Sequence, residues 1–399
     1  MPMHLLPRTV RFVIALSAAL LIAPLGCQSA RSDSQSSNAP PSDPRSASPT
    51  ARKRPPPPPR TLATPTRAVW VARFHFRTPQ DVRRIVARCA AEGFNTLLWQ
   101  ARGDGTVTYP SRIEPWSAQF NHRDPGFDPL ALAIEEAHAR GMRVEAWFNV
   151  LPGWSGPQAP AVADQLWNAR PEWFLTDSRG NRQSLGDFYV LLNPCLPEVR
   201  AHLAALVREI ASNYAIDGIH LDYVRYAWDG QRDARRRFPR DARTLAIYRA
   251  ETGLTPDADA AAWDRWRANQ LTRAVIEMRQ ALDRARPGAT LTAAVRPDAA
   301  EARRDHLQSA AAWLRSGVID AVMPMAYTSR IGVFERQLRS YDAVGRGRVI
   351  PGVGVYLLAP AALREQLRLC AQRGGDWAAF SYESLSGDRL GAIRAAHGR

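Results

Sequence analysis

The chain has 399 residues, 45% hydrophobic and 23% charged, which is near the globular average and enough to bury a sizeable core. No apolar run beyond residue 30 is long enough to cross a bilayer, and the four cysteines have neither the spacing of a zinc site nor the density of a disulfide scaffold. The net charge of +15 raises nucleic-acid binding, but the basic residues are arginines apart from Lys53, are scattered among acids as in Asp81-Val82-Arg83-Arg84, and lie partly in the first 66 residues.

A solvated basic surface with no nucleic-acid partner is therefore expected.

Residues 1–27 read as a secretory signal. Arg8 and Arg11 give the positive flank, residues 12–22 the short apolar core, and Leu25-Gly26-Cys27 resembles a lipoprotein cleavage box. Cys27 is the expected lipidation site, and Gln28 after it is no acidic retention signal. The expectation is an exported protein, lipid-anchored in the cell envelope, with the outer membrane favoured. Residues 28–66 are rich in Ser, Pro and Arg and contain five consecutive prolines from Pro55. Such a stretch cannot bury enough apolar surface to order itself, and it reads as a disordered tether.

From Arg67 the pattern alternates between strand and helix. Strands are expected at 69–74, 95–100, 143–149, 217–222, 290–295, 319–326, 349–356 and 377–382. Helices are expected at 78–92, 130–140, 197–214, 259–286, 301–316, 334–344 and 360–373, several ending at Gly93, Gly141, Gly317 or Gly374. Eight such units over residues 67–399 predict a single (β/α)8 TIM-type barrel. An open doubly wound sheet is the runner-up, but no glycine-rich phosphate loop follows the first strand. Cys89 and Cys370 lie four residues before Gly93 and Gly374, on helices that a closed barrel makes neighbours. A disulfide between them is a candidate.

Barrel sites sit at the C-terminal strand ends, and side-chain alternation selects what faces inward. On the fourth strand that selects His220 and Asp222, with Asp222 at the rim. On the third it selects Glu145, Trp147 and Asn149, and on the second Gln100, Arg102 and Asp104. Later strands offer Asp298, Tyr327 and Glu383. Carboxylates among aromatic platforms such as Trp116, Tyr223, Tyr327 and Tyr356 are what sugar hydrolysis requires. No nucleophile elbow and no metal-spaced cluster is present, so neither metal nor cofactor is expected.

These segments resemble the bacterial glycosyl-hydrolase-like family ten. The marks are AVWV from Ala68, GFNTLLWQARGDGTVTYPSRIEPWS from Gly93 and DPLALAIEEAHARGMRVEAWFN from Asp128. LNPCLPEVRAHL from Leu192, YAIDGIHLDYVRY from Tyr214 and IDAVMPMAY from Ile319 complete them. The resemblance implies a (β/α)8 barrel with glycosidase activity, and in its best-understood branch action on peptidoglycan strands stripped of peptides. The family often carries two adjacent aspartates after the fourth strand. Here the pair is Asp222-Tyr223, and the third strand has Glu145 where the family often has histidine.

The expectation is a monomeric, tethered glycosidase acting on a polysaccharide. Asp222 would be its nucleophile or charge stabiliser. The proton donor would be Glu383, Asp298 or Asp104, in that order. Gln100, Arg102, Trp116, Trp147, Asn149, His220, Tyr223, Arg225, Tyr327 and Tyr356 would bind sugar. The alternative is a glycan-holding lipoprotein of the same fold that has lost its acid.

Overall fold

A computed structural model describes residues 60–227, 234–343 and 348–398. Cys27, the expected signal and most of the expected tether lie outside these residues.

The first strand, β1 (Arg67–Val71), leads through a short 3-10 turn to α1 (Pro79–Ala91). Proline at the first turn and a capping box between Thr78 and Asp81 start that helix. Then come β2 (Thr96–Arg102), α2 (Pro129–His138), capped by Asp128, and β3 (Arg143–Asn149). After β3 the chain makes an antiparallel pair, β4 (Pro152–Gly156) and β5 (Gly186–Leu191), with α3 (Leu166–Ala169) between them. Next are α4 (Pro197–Asn213), β6 (Gly218–Asp222), α5 (Ala234–Arg237), α6 (Ala242–Thr252), α7 (Ala260–Ala285) and β7 (Thr290–Val295). The last part holds α8 (Ala299–His306), α9 (Ala310–Ser316), β8 (Ala321–Pro324), α10 (Ile331–Asp342), β9 (Arg348–Val349), β10 (Gly352–Gly354), α11 (Pro360–Gln372), β11 (Trp377–Phe380) and α12 (Asp388–Ala396).

The main sheet is a curled, parallel, nine-stranded one in the order β10-β11-β1-β2-β3-β6-β7-β8-β9. Its two end strands are successive pieces of one segment interrupted at Ile350-Pro351. Met325 pairs with Gly352, so hydrogen bonding also links the β8 end to β10. This is the TIM-barrel-like arrangement of an α/β fold. Alternation splits the core into two layers. Leu97, Trp99, Val144, Phe148, Ile219 and Leu221 belong to the outer layer under the helices. Ala68, Trp70, Leu98, Trp147, Ala294, Met323 and Ile350 fill the interior.

Several expectations are corrected here. The helix expected at 301–316 is two, because Leu307 takes a left-handed φ of 52° and breaks it. The packed chain starts before Arg67: Leu62 packs on the interior cluster, and Arg60 pairs with Asp283 at 2.9 Å. Cys89 and Cys370 form no disulfide. Both are free thiols buried in the outer core layer, and burial raises each to about 12, so neither is a ready thiolate.

Candidate active site

The interior below the rim is a chain of polar groups that satisfy one another. The Trp70 indole N–H donates to His220 Nε2 at 3.0 Å, and His220 Nδ1 lies 2.8 Å from Thr292 Oγ1. An indole nitrogen can only donate, so Nε2 is the acceptor and the proton sits on Nδ1. Thr292 Oγ1 then donates to Glu145, which also accepts from Thr290 Oγ1 at 2.9 Å. Burial holds His220 neutral, down to about 3, and pushes Glu145 up to about 7. His220 is therefore not a sugar contact: it is fully buried and both nitrogens are taken. Glu145 is bonded by Thr290 and Thr292, and through Thr292 it is linked to His220.

Glu145 carries a pH dependence. Its folded value of about 7 lies above the ordinary 4.5, so the native state keeps a proton that the unfolded chain releases between those values. The associated stability is complete below pH 4.5 and lost as pH rises through 7, about 3 kcal/mol in all. Thr290 Oγ1 lies 3.2 Å from the Asp217 carbonyl, which lets it turn its hydrogen there and accept from a protonated Glu145. Glu145→Gln is expected to flatten the stability–pH curve across this window, as measured by urea unfolding at pH 4.5, 6 and 8. An unchanged slope would place the titrating group elsewhere.

Above this layer Asp222 ends β6, buried at the rim. Its Oδ1 accepts from the Tyr223 backbone N–H at 2.6 Å and from Arg225 Nη1 at 3.1 Å. Both bonds land on the one oxygen, and no described residue bonds Oδ2. Tyr223 holds this turn at a φ of 50°, a left-handed conformation uncommon for a non-glycine residue. Arg225 lies over the Tyr223 ring at 4.2 Å. Across the opening, Tyr327 stacks on Phe380 at 5.1 Å, with Tyr356 6.1 Å from Phe380. Burial first, and the Asp222 charge next, raise the Tyr327 hydroxyl well above its ordinary value, so it stays a donor.

A second carboxylate belongs to the same neighbourhood. Asp104 accepts from Thr106 Oγ1 at 3.0 Å and Ser155 Oγ at 2.6 Å, and lies 3.2 Å from Arg73 Nη2. Burial works against the Arg73 charge, but Asp104 and Tyr189 more than restore it. Burial also raises the Tyr189 hydroxyl; Arg73 opposes this, while Asp104 and Asp222 add to it. Tyr189 thus feels both carboxylates, and its ring meets Tyr223 edge-on at 4.8 Å. Arg73, Ser155 and Tyr189 were not legible as site residues. Arg73 lies just past the first strand within an apolar run, and the other two ride on the β4–β5 pair.

Gly103 makes room for Arg73. A Cβ there would come within 2.3 Å of Arg73 Nη1. Gly103→Ala is expected to displace the guanidinium, to cost about 10²-fold in kcat/KM, and to lower stability as well, since the Arg73–Asp104 pair it breaks is buried. Steady-state kinetics beside a thermal melt would check this, and unchanged kinetics would remove Arg73 from the machinery.

Other expected site residues lie elsewhere. A β-bulge between Gln100 and Arg102 turns Arg102 to the outer layer, opposite Phe148. There it forms a buried pair with Glu114 and is no sugar contact. Gln100 Oε1 accepts from the Arg73 backbone N–H at 3.0 Å and fixes the β1 tip. Asp298 caps α8, accepting from the backbone of Ala300 and Glu301, which corrects its role as acid. Trp116 packs edge-on to Phe120 at 5.7 Å and lies half-buried against the outer core. Glu383 stands on the rim with 54% of its side chain exposed, 3.9 Å from His75 Nε2. Trp147 and Asn149 face inward as expected. Among the described residues no three His, Cys, Asp or Glu cluster as a metal site would.

The model of the family described as Glycosyl hydrolase-like 10 matches residues 65–364. This chain belongs to the glycosyl hydrolase-like 10 family. Its enzyme class is glycoside hydrolase. It is 26% identical over 317 residues to glycosyl hydrolase DigH of Escherichia coli K12, covering 71% of this chain and 67% of the relative. It is also 26% identical over 257 residues to glycosyl hydrolase YngK of Bacillus subtilis, covering 59% of this chain and 46% of that one. Among solved structures, the PgaB (BpsB) glycoside hydrolase domain of Bordetella bronchiseptica aligns with a TM-score of 0.61 at 17% identity. That match covers 82% of this chain and 98% of that domain. An α-L-fucosidase isoenzyme 2 of Paenibacillus thiaminolyticus aligns at 0.60 and 17%, over 83% of this chain and 48% of that one. At such identities the structures speak for the shared glycosidase-type fold alone.

Proposed function

We propose that this member of the glycosyl hydrolase-like 10 family is an envelope-tethered glycosidase that cleaves peptidoglycan glycan strands at Asp222. One observation carries the reading: Asp222 is held at the rim by two bonds on Oδ1, while no described residue bonds Oδ2. The choice of glycan strands rests on the family resemblance, and the export and lipid anchor at Cys27 rest on residues 8–28.

In the reaction, Oδ2 of Asp222 would attack, or stabilise, the oxocarbenium-like centre as the glycosidic bond breaks. Arg225 and the Tyr223 N–H fix the carboxylate, so no reorganisation is needed as charge develops. The Tyr327 hydroxyl donates to an oxygen at the reacting centre. Proton delivery to the leaving oxygen falls to Glu383 before Asp104, because Glu383 stands on the rim while Arg73, Thr106 and Ser155 hold Asp104 as a charged carboxylate. The amide variant of the true donor would keep cleaving an aryl glycoside, whose leaving group needs no proton, while losing the natural strand.

The purified protein would be incubated with peptide-bearing and peptide-free strands, and the products weighed by mass spectrometry. Release of sugars from peptide-free strands is expected. The Asp222–Arg225 pair favours a second reading, a glycan-holding protein of this fold. Retained binding without release from either substrate would support it.

A further inference from the structure

Two side chains on β3 carry buried polar atoms that no described residue satisfies. Trp147 is 5% exposed and Asn149 is 1% exposed. Neither the Trp147 Nε1–H nor Asn149 Oδ1 has a hydrogen-bond partner among the described residues. Both residues face the barrel interior, and their register neighbours on β6 are His220 and Asp222. The pair therefore lies along the wall that carries the carboxylate.

The two orphans are complementary. One is a donor only; the other is an acceptor. Residues two apart on a strand are separated by about 7 Å, too far for one hydroxyl of a sugar to reach both backbone positions without its neighbours. A secondary amide presents a carbonyl oxygen on one side and an N–H on the other, as this pair requires. Beside them the wall is apolar: Trp147 belongs to the interior cluster with Met323 and Ala294, and Met325 packs against it. A donor, an acceptor and a place for a methyl group together describe an acetamido substituent.

We infer that Trp147 and Asn149 recognise the acetamido group of a 2-acetamido sugar placed beside Asp222. The inference rests on the reading of this rim as a glycan site and names what sets its specificity. A sugar with a free amine would bring a second donor, and often a charge, where Trp147 needs an acceptor. A sugar with a hydroxyl there would leave one of the two atoms unmet. Loss of a matched polar group in a buried site is strongly discriminated against.

The test uses binding, so it does not depend on cleavage. Asp222→Asn protein would be titrated calorimetrically with β-1,4 oligosaccharides of N-acetylglucosamine, of glucosamine and of glucose. The expected result is a preference of about 10²-fold for the acetylated series. Trp147→Phe keeps the ring and removes the N–H, and Asn149→Leu removes the acceptor. Each is expected to lower that preference at least about tenfold in the same background. Trp99→Phe is the control, because Trp99 Nε1 is also unpartnered but belongs to the outer layer. It should leave the preference unchanged, and thermal melts would show that every variant is folded. Equal binding of the three series, binding of none, or a preference untouched by both β3 variants would overturn the inference. A protein that prefers acetylated sugars yet releases nothing from glycan strands would overturn the proposed function and leave this inference standing.

Discussion

Asp222→Asn is expected to lower cleavage of peptide-free glycan strands by about 10³-fold or more while leaving the fold intact. The size follows from what the substitution removes. In the proposed reaction this carboxylate attacks or faces the positive centre, and an amide can do neither. The fold should survive because the amide oxygen can still accept from the Tyr223 N–H and from Arg225, the two bonds that Oδ1 makes. The loss should fall on kcat rather than on KM, since the interaction strengthens as charge develops. Kinetics on soluble strand fragments, with a melt of each protein, would separate the effects. Equal rates in both proteins would move the chemistry to another carboxyl, with Asp104 examined next.

The eight barrel strands were legible because their apolar runs recur between helices that announce their own ends. Proline opens α1, α2, α4 and α11, and glycine follows several of the others. Strand parity then placed Asp222, Trp147 and Asn149 correctly, because β3 and β6 pair without a break. The same rule failed on β2, where one bulge reverses the facing of Arg102. Nothing in Gln100-Ala101-Arg102 marks a bulge, since its cause is the pairing and not the local residues. Asp298 looked like a rim acid because an N-cap and an active-site carboxylate both sit after a strand and before a helix; only the hydrogen bonds tell them apart. The β4–β5 pair stayed hidden because short strands amid Gly, Ser and Asn read as loop. It brings Tyr189 and Ser155, so half of the second carboxylate's surroundings was invisible in the sequence. The left-handed turn falls on Tyr223, where the family resemblance implies a second aspartate. Aspartate tolerates that conformation better than most residues, so the adjacent-aspartate pattern suits the turn's geometry. Tyrosine here bears the conformational cost and gains its contacts with Arg225 and Tyr189.

The bulge that misplaced Arg102 also created a fully buried ion pair. Arg102 Nε and Nη2 bond Glu114 at 2.9 and 2.7 Å, and both side chains are fully buried. His202 Nε2 adds a contact to Glu114 at 2.9 Å, and Arg102 Nη1 binds the carbonyls of Asn149, Val150 and Pro152. Glu114→Gln is expected to destabilise the protein by about 3–5 kcal/mol, because it leaves a buried guanidinium without a counter-charge. Burial alone would raise the Glu114 carboxyl, but the Arg102 charge and the His202 bond outweigh it and hold it at about 2. The folded value lies below the ordinary 4.5, so this stability is complete above pH 4.5 and lost as pH falls towards 2. The variant should therefore differ most from the parent at neutral pH and converge with it in acid. Activity should fall as well, since Arg102 ties down the three carbonyls that run from the end of β3 to the start of β4. A double variant, Arg102→Met with Glu114→Leu, removes both charges and should recover much of the stability but not the activity. Urea unfolding of the parent, Arg102→Met, Glu114→Leu and the double variant at pH 3 and 7 would measure the coupling. Additive losses at pH 7 would show that the pair contributes no more than its separate contacts.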